Sequence, residues 1–299
     1  MGKNRQNKLS VVLATRNEEA NIGYCLESIK QIADEIIVVD ESSTDKTREI
    51  AKKFAAKVYK VKHEPIFHKT KQKALDYAKG DWILQLDADE RVTKKLANEI
   101  KEMIQMTKYE IFEYQKLQKS KHPKLQKLFT RHQKLIEQRD GKIGQDTGEI
   151  VAFFVPRLNF FLGKPLIHAG VYPDANIRLF RKGKAHFPAK SVHEQMLSDG
   201  EVAWLFNDLV HEDSPTLKRY LERMNRYTEL HANDLKNKKM PKNLLYLSLY
   251  TIYKPLYTFL NLFIRHKGFL DGIRGFLWSF FSAMHYPLAY YKYWNIKVK

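Results

Sequence analysis

Gly80-Asp81-Trp82-Ile83-Leu84-Gln85-Leu86-Asp87-Ala88-Asp89-Glu90 is the stretch around which the chain is organised. Its apolar run, Trp82 to Leu86, reads as a short strand buried on both faces. Asp-Ala-Asp follows at once, at the carboxyl end of the strand, where open α/β sheets bind their ligands. Two acids one residue apart point different ways on an extended backbone. One can hold a hard divalent cation while the other meets the ligand, so Asp87 and Asp89 are candidates for a metal–diphosphate site.

The residues upstream repeat the pattern. Leu9 to Thr15 is a β-rich buried strand followed by Arg16-Asn17-Glu18-Glu19. Asn17 is the expected N-cap of a helix over 21–30, whose Ile22, Cys25, Leu26 and Ile29 have helical spacing. Ile36 to Asp40 is a second buried strand, and Ser42-Ser43-Thr44-Asp45 is the expected start of a helix over 46–55. A third strand over 57–61, a helix over 68–78 and the strand Trp82 to Leu86 complete the alternation. Strand–helix alternation at this spacing predicts a parallel sheet with right-handed crossovers. The polar clusters after Thr15, at Asp40 and at Asp87 then share one sheet edge and converge on one crevice. No G-x-G-x-x-G follows a strand and no G-x-x-x-x-G-K-[ST] occurs, so dinucleotide and P-loop readings lack their glycines.

Charge and cysteine content narrow the partners. The formal net charge is +18, which calls for a polyanion: an anionic membrane surface, nucleic acid or phosphorylated substrates. Cys25 is the single cysteine, which excludes an intramolecular disulfide and a cysteine zinc cluster. Leu9 to Ala14 is too short for a signal-peptide core, so no export of the bulk of the chain is expected.

Three segments resemble the family-2 glycosyltransferases of GT-A fold, in matching order and spacing. They are Val11 to Glu19, Ile37 to Thr47, and Asp81 to Arg91. The branch that includes lipopolysaccharide-core β-glucosyltransferases is the most similar. The resemblance covers residues 8–106 well and 151–231 more loosely. It implies a Rossmann-like, mostly parallel α/β sheet flanked by helices, and a nucleoside-diphosphate sugar as donor, with UDP the expected nucleotide. It places Thr15, Asn17 and Glu18 near the donor nucleotide, Asp40 on its base, and Asp87 by sugar and ribose. Asp89 would hold Mg²⁺ or Mn²⁺. Phe67-His68-Lys69-Thr70-Lys71-Gln72 resembles a basic segment of the same branch, which turns Lys69 and Lys71 toward the diphosphate. Tyr172 to Arg181 resembles its segment beside the acceptor, and Glu194 of Ser191-Val192-His193-Glu194 falls where the family places its base. An inverting transfer needs such a base at the acceptor hydroxyl. Val202 to Leu209 reads as one strand, and His211 just after it is the candidate second metal ligand, a softer donor that would favour Mn²⁺.

The rest divides into a helical insertion and an appendage. The expected parts are 1–106 (donor half), 107–149 (basic insertion), 150–235 (acceptor half) and 236–299 (helical appendage). In the insertion, Lys116, Lys119, Lys121, Lys124, Lys127, Arg131 and Lys134 come without an intervening acid, on amphipathic helices broken near Pro123. A lid, a membrane-surface element and a solvated insertion all fit that pattern. A helix capped at Ser214-Pro215-Thr216 runs to about Leu235. Leu244 to Ile264 is apolar over the length of a membrane span but is interrupted by Lys254-Pro255. Aromatics such as Trp278, Tyr286 and Trp294, with flanking lysines, suit the headgroup boundary. The reading is interfacial or re-entrant helices at the cytoplasmic face of a membrane, with a lipid-linked or cell-envelope glycan as acceptor and no nucleic acid as partner. Two rivals remain at this stage. Haloacid-dehalogenase-like phosphoryl transfer also uses D-x-D after a strand, but expects Thr or Val where Arg91 stands and the motif on the first strand. A non-catalytic basic membrane-surface protein uses only the charge.

Overall fold

Leu9–Thr15 forms β1, and all of its residues are buried. A strand without a solvent face is what a run of small and β-branched residues makes when helices cover both sides of its sheet. It is followed by α1 (Ile22–Ile29), β2 (Glu35–Asp40), α2 (Thr47–Lys53), β3 (Lys57–Lys60), α3 (Phe67–Tyr77) and β4 (Trp82–Leu86). Short β5 (Glu90–Val92) leads into α4 (Lys94–Gln105), α5 (Lys108–Lys121) and α6 (Pro123–Asp140). Then come β6 (Ile150–Val155), β7 (Arg157–Phe161), β8 (Lys164–Pro165), β9 (Asn176–Arg181), β10 (Ala185–His186), β11 (Leu197–Ser198), β12 (Glu201–Trp204) and β13 (Leu209–Ser214). The chain closes with α7 (Leu217–Asn237), α8 (Leu244–Ser248), α9 (Lys254–Leu260) and α10 (Gly272–Asn295). This computed structural model describes residues 6–188 and 195–296.

The chain forms two compact units, Met1–Arg157 with Pro173–His211, and Leu158–Tyr172 with Glu212–Lys299. They divide the sequence differently from the four parts expected above. Residues 107–149 belong to the first unit, and α7 belongs to the second.

The first unit holds a seven-stranded sheet in the order β12-β6-β9-β4-β1-β2-β3. β3, β2, β1 and β4 are parallel neighbours, with Thr15 opposite Asp40 and Leu13 opposite Leu86. β9 runs antiparallel between β4 and β6. This is the mostly parallel α/β sheet that the resemblance implied. Alternate residues of β1 serve two cores: Val11 and Leu13 pack with Ile22, Leu26, Leu96 and Ile100, while Val12 packs with Ala74, Leu75, Phe129 and Phe154. The three parallel strands that carry the polar clusters therefore end together, as the alternation required.

Close approach fixes β1 beside the loop before β4. The Gly80 N–H donates to Ser10 Oγ at 2.8 Å. A Cβ at Gly80 would stand 2.8 Å from both the Lys8 carbonyl oxygen and the Ser10 nitrogen. Backbone atoms of a central strand cannot step aside, so Gly80→Ala is expected to destabilise this unit by about 1–3 kcal/mol. A urea midpoint equal to wild type would refute that.

Three local expectations are corrected. Asn17 does not cap α1: a turn over residues 18–21 intervenes, with the Asn21 and Ile22 N–H groups on the Glu18 carbonyl. Asn17 takes a positive φ of 54° instead, and its side-chain oxygen accepts from the Thr44 N–H at 2.9 Å. α2 begins at Thr47 rather than at 46: the Ser43 hydroxyl donates back to Asp40, and the Asp45 carboxylate accepts the N–H of Thr47, the first helical residue, at 3.0 Å. The segment 202–209 is not one strand. It breaks after Trp204, where the Glu99 carboxylate accepts the Phe206 and Asn207 N–H groups at 2.7 and 2.9 Å.

The second unit is built on α7 and α10, with a small core of Ala232, Leu235, Tyr250, Tyr290 and Tyr293. His168 donates its N–H to Asp271 at 2.8 Å, and its ring Nδ1 lies 2.9 Å from the same carboxylate, which anchors the arm 158–172. From Leu244 to Arg265 the backbone is helical throughout, as α8, a π turn (Leu249–Tyr253), α9 and a second π turn (Asn261–Arg265). Pro255 sits in the first turn of α9, directly after a π turn, and a widened turn is the usual accommodation of a missing N–H. Lys254 turns inward, with its ammonium 3.6 Å from the centre of the Tyr250 ring. Ile252, Leu256, Leu260 and Ile264 are left exposed. Among the described residues no helix is long and apolar enough to cross a membrane.

Candidate active site

The site is assembled at the carboxyl ends of β1, β2 and β4, within the first unit. Asp40, fully buried, closes the β2 end. Its carboxylate accepts from the Ser43 N–H at 2.9 Å, the Ser43 hydroxyl and the Thr15 hydroxyl at 3.3 Å, and lies 3.3 Å from Arg48 Nε. Asn17 and Glu18 are stitched to the same loop: the Asn17 N–H donates to Ser43 Oγ and the Glu18 N–H to Thr47 Oγ1. Thr15, Asn17, Glu18 and Asp40, four residues chosen from sequence, thus share one hydrogen-bonded cluster.

Asp87 and Asp89 leave the end of β4 on a tight turn. The Asp87 N–H donates to Glu90 Oε2 at 2.9 Å, and the Glu90 N–H returns to the Asp87 carbonyl at 3.0 Å. The two acids meet different partners, although the turn, and not the extended backbone expected from sequence, is what separates them. Asp87 Oδ1 pairs with Lys71 Nζ at 2.5 Å and Oδ2 with Arg178 Nη2 at 2.7 Å. Burial alone would raise its pKa, but Lys71 and Arg178 outweigh burial and hold the carboxyl well below the usual range. Asp89 instead faces His211, with Oδ2 3.5 Å from Nε2. Burial again works to raise its pKa, and the His211 contact brings it below the ordinary value. His211 arrives not after a strand but inside β13, where it lies opposite Glu90 in an antiparallel pairing with β5.

The partners of Asp87 belong to a longer chain of alternating charges. Arg178 Nη2 also donates to Glu90 Oε1 at 2.5 Å, Arg157 Nη1 reaches the same oxygen at 3.4 Å, and Arg157 Nη2 donates to Asp174 Oδ2 at 2.6 Å. The order is Lys71, Asp87, Arg178, Glu90, Arg157, Asp174. Sequence reasoning missed the part played by Glu90 and Arg178. A signal was available: Arg178 lies within the apolar strand sequence Asn176-Ile177-Arg178-Leu179-Phe180, where a buried cation requires buried acids. His68, Lys71, Asp87, Arg157, Arg178 and Gln195 line a small open cleft in front of this network.

Lys69 and Lys71 separate. Two residues apart on α3, they point to different sides of the helix. Lys71 is buried on Asp87, and Lys69 is exposed. Glu194 lies outside the described residues. Cys25, on α1, is fully buried behind the motif, with Sγ 3.6 Å from the Asp87 carbonyl oxygen, and burial pushes its thiol pKa up.

Asp89 and His211 can hold a divalent cation between a carboxylate and an imidazole. Among the described residues no group of three or more His, Cys, Asp or Glu could do so. Two protein ligands suit an ion that takes its remaining oxygens from a diphosphate and water. The donor set fits Mg²⁺ or Mn²⁺, and its nitrogen leans toward Mn²⁺.

The family model "Glycosyl transferase family 2" matches residues 10–160, half of the chain. The chain belongs to that family. The matched span contains all three polar clusters of the sheet edge. This family-2 glycosyltransferase is 25% identical over 289 residues to the lipopolysaccharide core biosynthesis glycosyltransferase LpsC of Rhizobium meliloti, covering 92% of this chain and 90% of that one. It is 47% identical over 93 residues to a glycosyltransferase of Rickettsia bellii, an alignment that takes in 31% of each protein. Among solved structures it is similar to glucosyl-3-phosphoglycerate synthase from Mycobacterium tuberculosis in complex with Mn²⁺, uridine diphosphate and glucosyl-3-phosphoglycerate. That match is 32% identical, covers 28% of this chain and 34% of that one, and has a TM-score of 0.26.

Proposed function

We propose that this family-2 glycosyltransferase is an inverting, metal-dependent enzyme that moves a sugar from a nucleoside diphosphate, UDP being the expected one, to a lipid-linked or cell-envelope glycan. One observation carries the reading: acids from two neighbouring strand ends, Asp40 of β2 and Asp87 and Asp89 after β4, meet on one sheet edge beside Thr15 of β1, with His211 beside Asp89. The Thr15–Asp40 loop is the donor's nucleotide end. Asp89 and His211 are the residues that would hold the divalent cation, which when bound supplies neutralisation of the departing diphosphate. Lys71, paired with Asp87 at the cleft wall, is within reach of the same charge. Glu194 takes the proton from the acceptor hydroxyl, whose oxygen bonds to the anomeric carbon as the bond to the diphosphate oxygen breaks on the opposite face. The configuration of that carbon inverts. Gln195, the residue after this base, lines the cleft.

The acceptor class is supported by the similarity to LpsC over nearly all of both chains. The second unit supports a site of action at the cytoplasmic face of a membrane. Its longest apolar run lays the half-buried Lys254 over the Tyr250 ring and exposes Ile252, Leu256, Leu260 and Ile264, the reverse of a helix made for water alone.

The test is a donor screen by thermal shift, with UDP-, GDP-, CDP- and dTDP-sugars, each with and without Mn²⁺. A ligand that binds only the native state stabilises it by about 2.7 kcal/mol at a hundredfold excess over Kd. A rise in melting temperature with one nucleotide, present only with the metal, is expected. Absence of any shift, together with no donor hydrolysis in the presence of lipid, would reject the reading.

A further inference from the structure

The hairpin α5–α6 is held firmly from its inner side. Tyr114 donates its hydroxyl to Glu99 at 2.7 Å, Gln115 Nε2 donates to the Trp204 carbonyl at 2.8 Å, and the Phe129 ring stacks on Trp204 with centroids 4.0 Å apart. His132 Nε2 accepts from the Ala175 N–H at 3.1 Å. These contacts fix which side of each helix faces out. On α6, Lys124, Lys127, Arg131 and Lys134 fall within about 80° of one another around the axis and form a row about 15 Å long. All four are exposed, opposite the buried Phe129 and Ile136. Lys116, Lys119 and Lys121 of α5 are exposed as well.

None of these seven cations makes an ion pair among the described residues, and no acid occurs between Glu113 and Glu137. Some other surface lysines of the unit do meet acids, as Lys57 does Glu35, Lys73 Glu64, Lys108 Glu149 and Lys142 Asp146. Seven like charges left uncompensated on one rigid hairpin repel one another and lower stability, unless an anionic surface answers them. Apolar side chains stand among them: Phe112 is 59% exposed, Leu117 48% and Leu135 55%. A soluble polyanion offers those side chains nothing, whereas the boundary between headgroups and acyl chains takes both charge and apolar tip.

We infer that the outer face of α5–α6 docks on the headgroups of an anionic lipid bilayer. The inference takes its choice of partner from the membrane reading above, but assigns a second, electrostatic contact to a different unit. The experiment compares wild type with K124Q/K127Q/R131Q/K134Q in flotation with phosphatidylcholine vesicles, with and without about 30 % phosphatidylglycerol. The wild type is expected to bind the anionic vesicles more than about tenfold more tightly than the variant, and to lose that difference near 1 M salt, where charges are screened beyond about 3 Å. Binding to pure phosphatidylcholine, which reads the apolar second unit, is expected to be equal for the two proteins, and the melting temperature of the variant without lipid is expected to be no lower than that of wild type, because four repelling charges are gone. The variant K124R/K127R/K134R is expected to bind like wild type. Equal binding of wild type and the glutamine variant to anionic vesicles would overturn the inference. So would tighter binding of wild type to a mixed-sequence RNA than to those vesicles in the same buffer. Failure of both proteins on neutral vesicles would count against the membrane reading of the second unit alone.

Discussion

Arg178→Met is expected to destabilise the amino-terminal unit by about 3–5 kcal/mol, because breaking a buried ion pair leaves an uncompensated charge. Arg178 is 4% exposed and Glu90 is fully buried. Without the guanidinium, Glu90 keeps the Asp87 N–H on Oε2, and its one remaining cation among the described residues is Arg157 at 3.4 Å. Asp87 keeps Lys71. The chain of charges makes a second, sharper expectation. Removing Arg178 and Glu90 together leaves two complete pairs, Lys71 with Asp87 and Arg157 with Asp174. The double variant Arg178→Met with Glu90→Gln should therefore be more stable than the sum of the single losses by about 1–3 kcal/mol, with the glutamine oxygen still accepting the Asp87 N–H. Urea midpoints of the four proteins measure this. Simple additivity would mean that the charges act independently and that the alternating order has no energetic content.

Asp89→Asn is expected to lower transfer by about three orders of magnitude while leaving the fold in place. The substitution keeps shape and removes the charge that would hold the cation against His211. The Asp89–His211 contact is long at 3.5 Å, and the asparagine oxygen can still accept from the imidazole in its place. The melting temperature without ligand should match wild type, and the metal-dependent rise with donor should disappear. An Asp89→Asn protein that keeps its turnover would remove Asp89 from the chemistry and with it the metal from the proposal.

The parts of the site visible in the sequence are those set by local pattern. β1, β2 and β4 are apolar runs that end in polar residues, and parallel pairing brings such ends together whatever else the chain does. The apolar strand around Arg178 says that it needs buried acids but not which ones, because they lie 88 and 91 residues away. His211 was found, but for an incomplete reason. The run 202–209 reads as one strand, and the carboxylate that breaks it, Glu99, lies on a helix about a hundred residues earlier. Only after that break can 209–211 turn to pair with β5 and set the imidazole beside Asp89. Asn17 does lie in the cluster at the sheet edge, but it does not cap α1. A side chain that caps a helix and one that braces a neighbouring loop look the same in sequence, and Thr44 decides between them in three dimensions.

The lone thiol behind the motif gives the protein a built-in clock. Cys25 has no solvent access and a thiol held in its protonated form, so an alkylating reagent can reach it only when α1 lifts from the sheet. The rate of its modification therefore counts the openings of α1 from the sheet one molecule at a time, and any ligand that bridges the strand ends should slow that count without touching the sulfur.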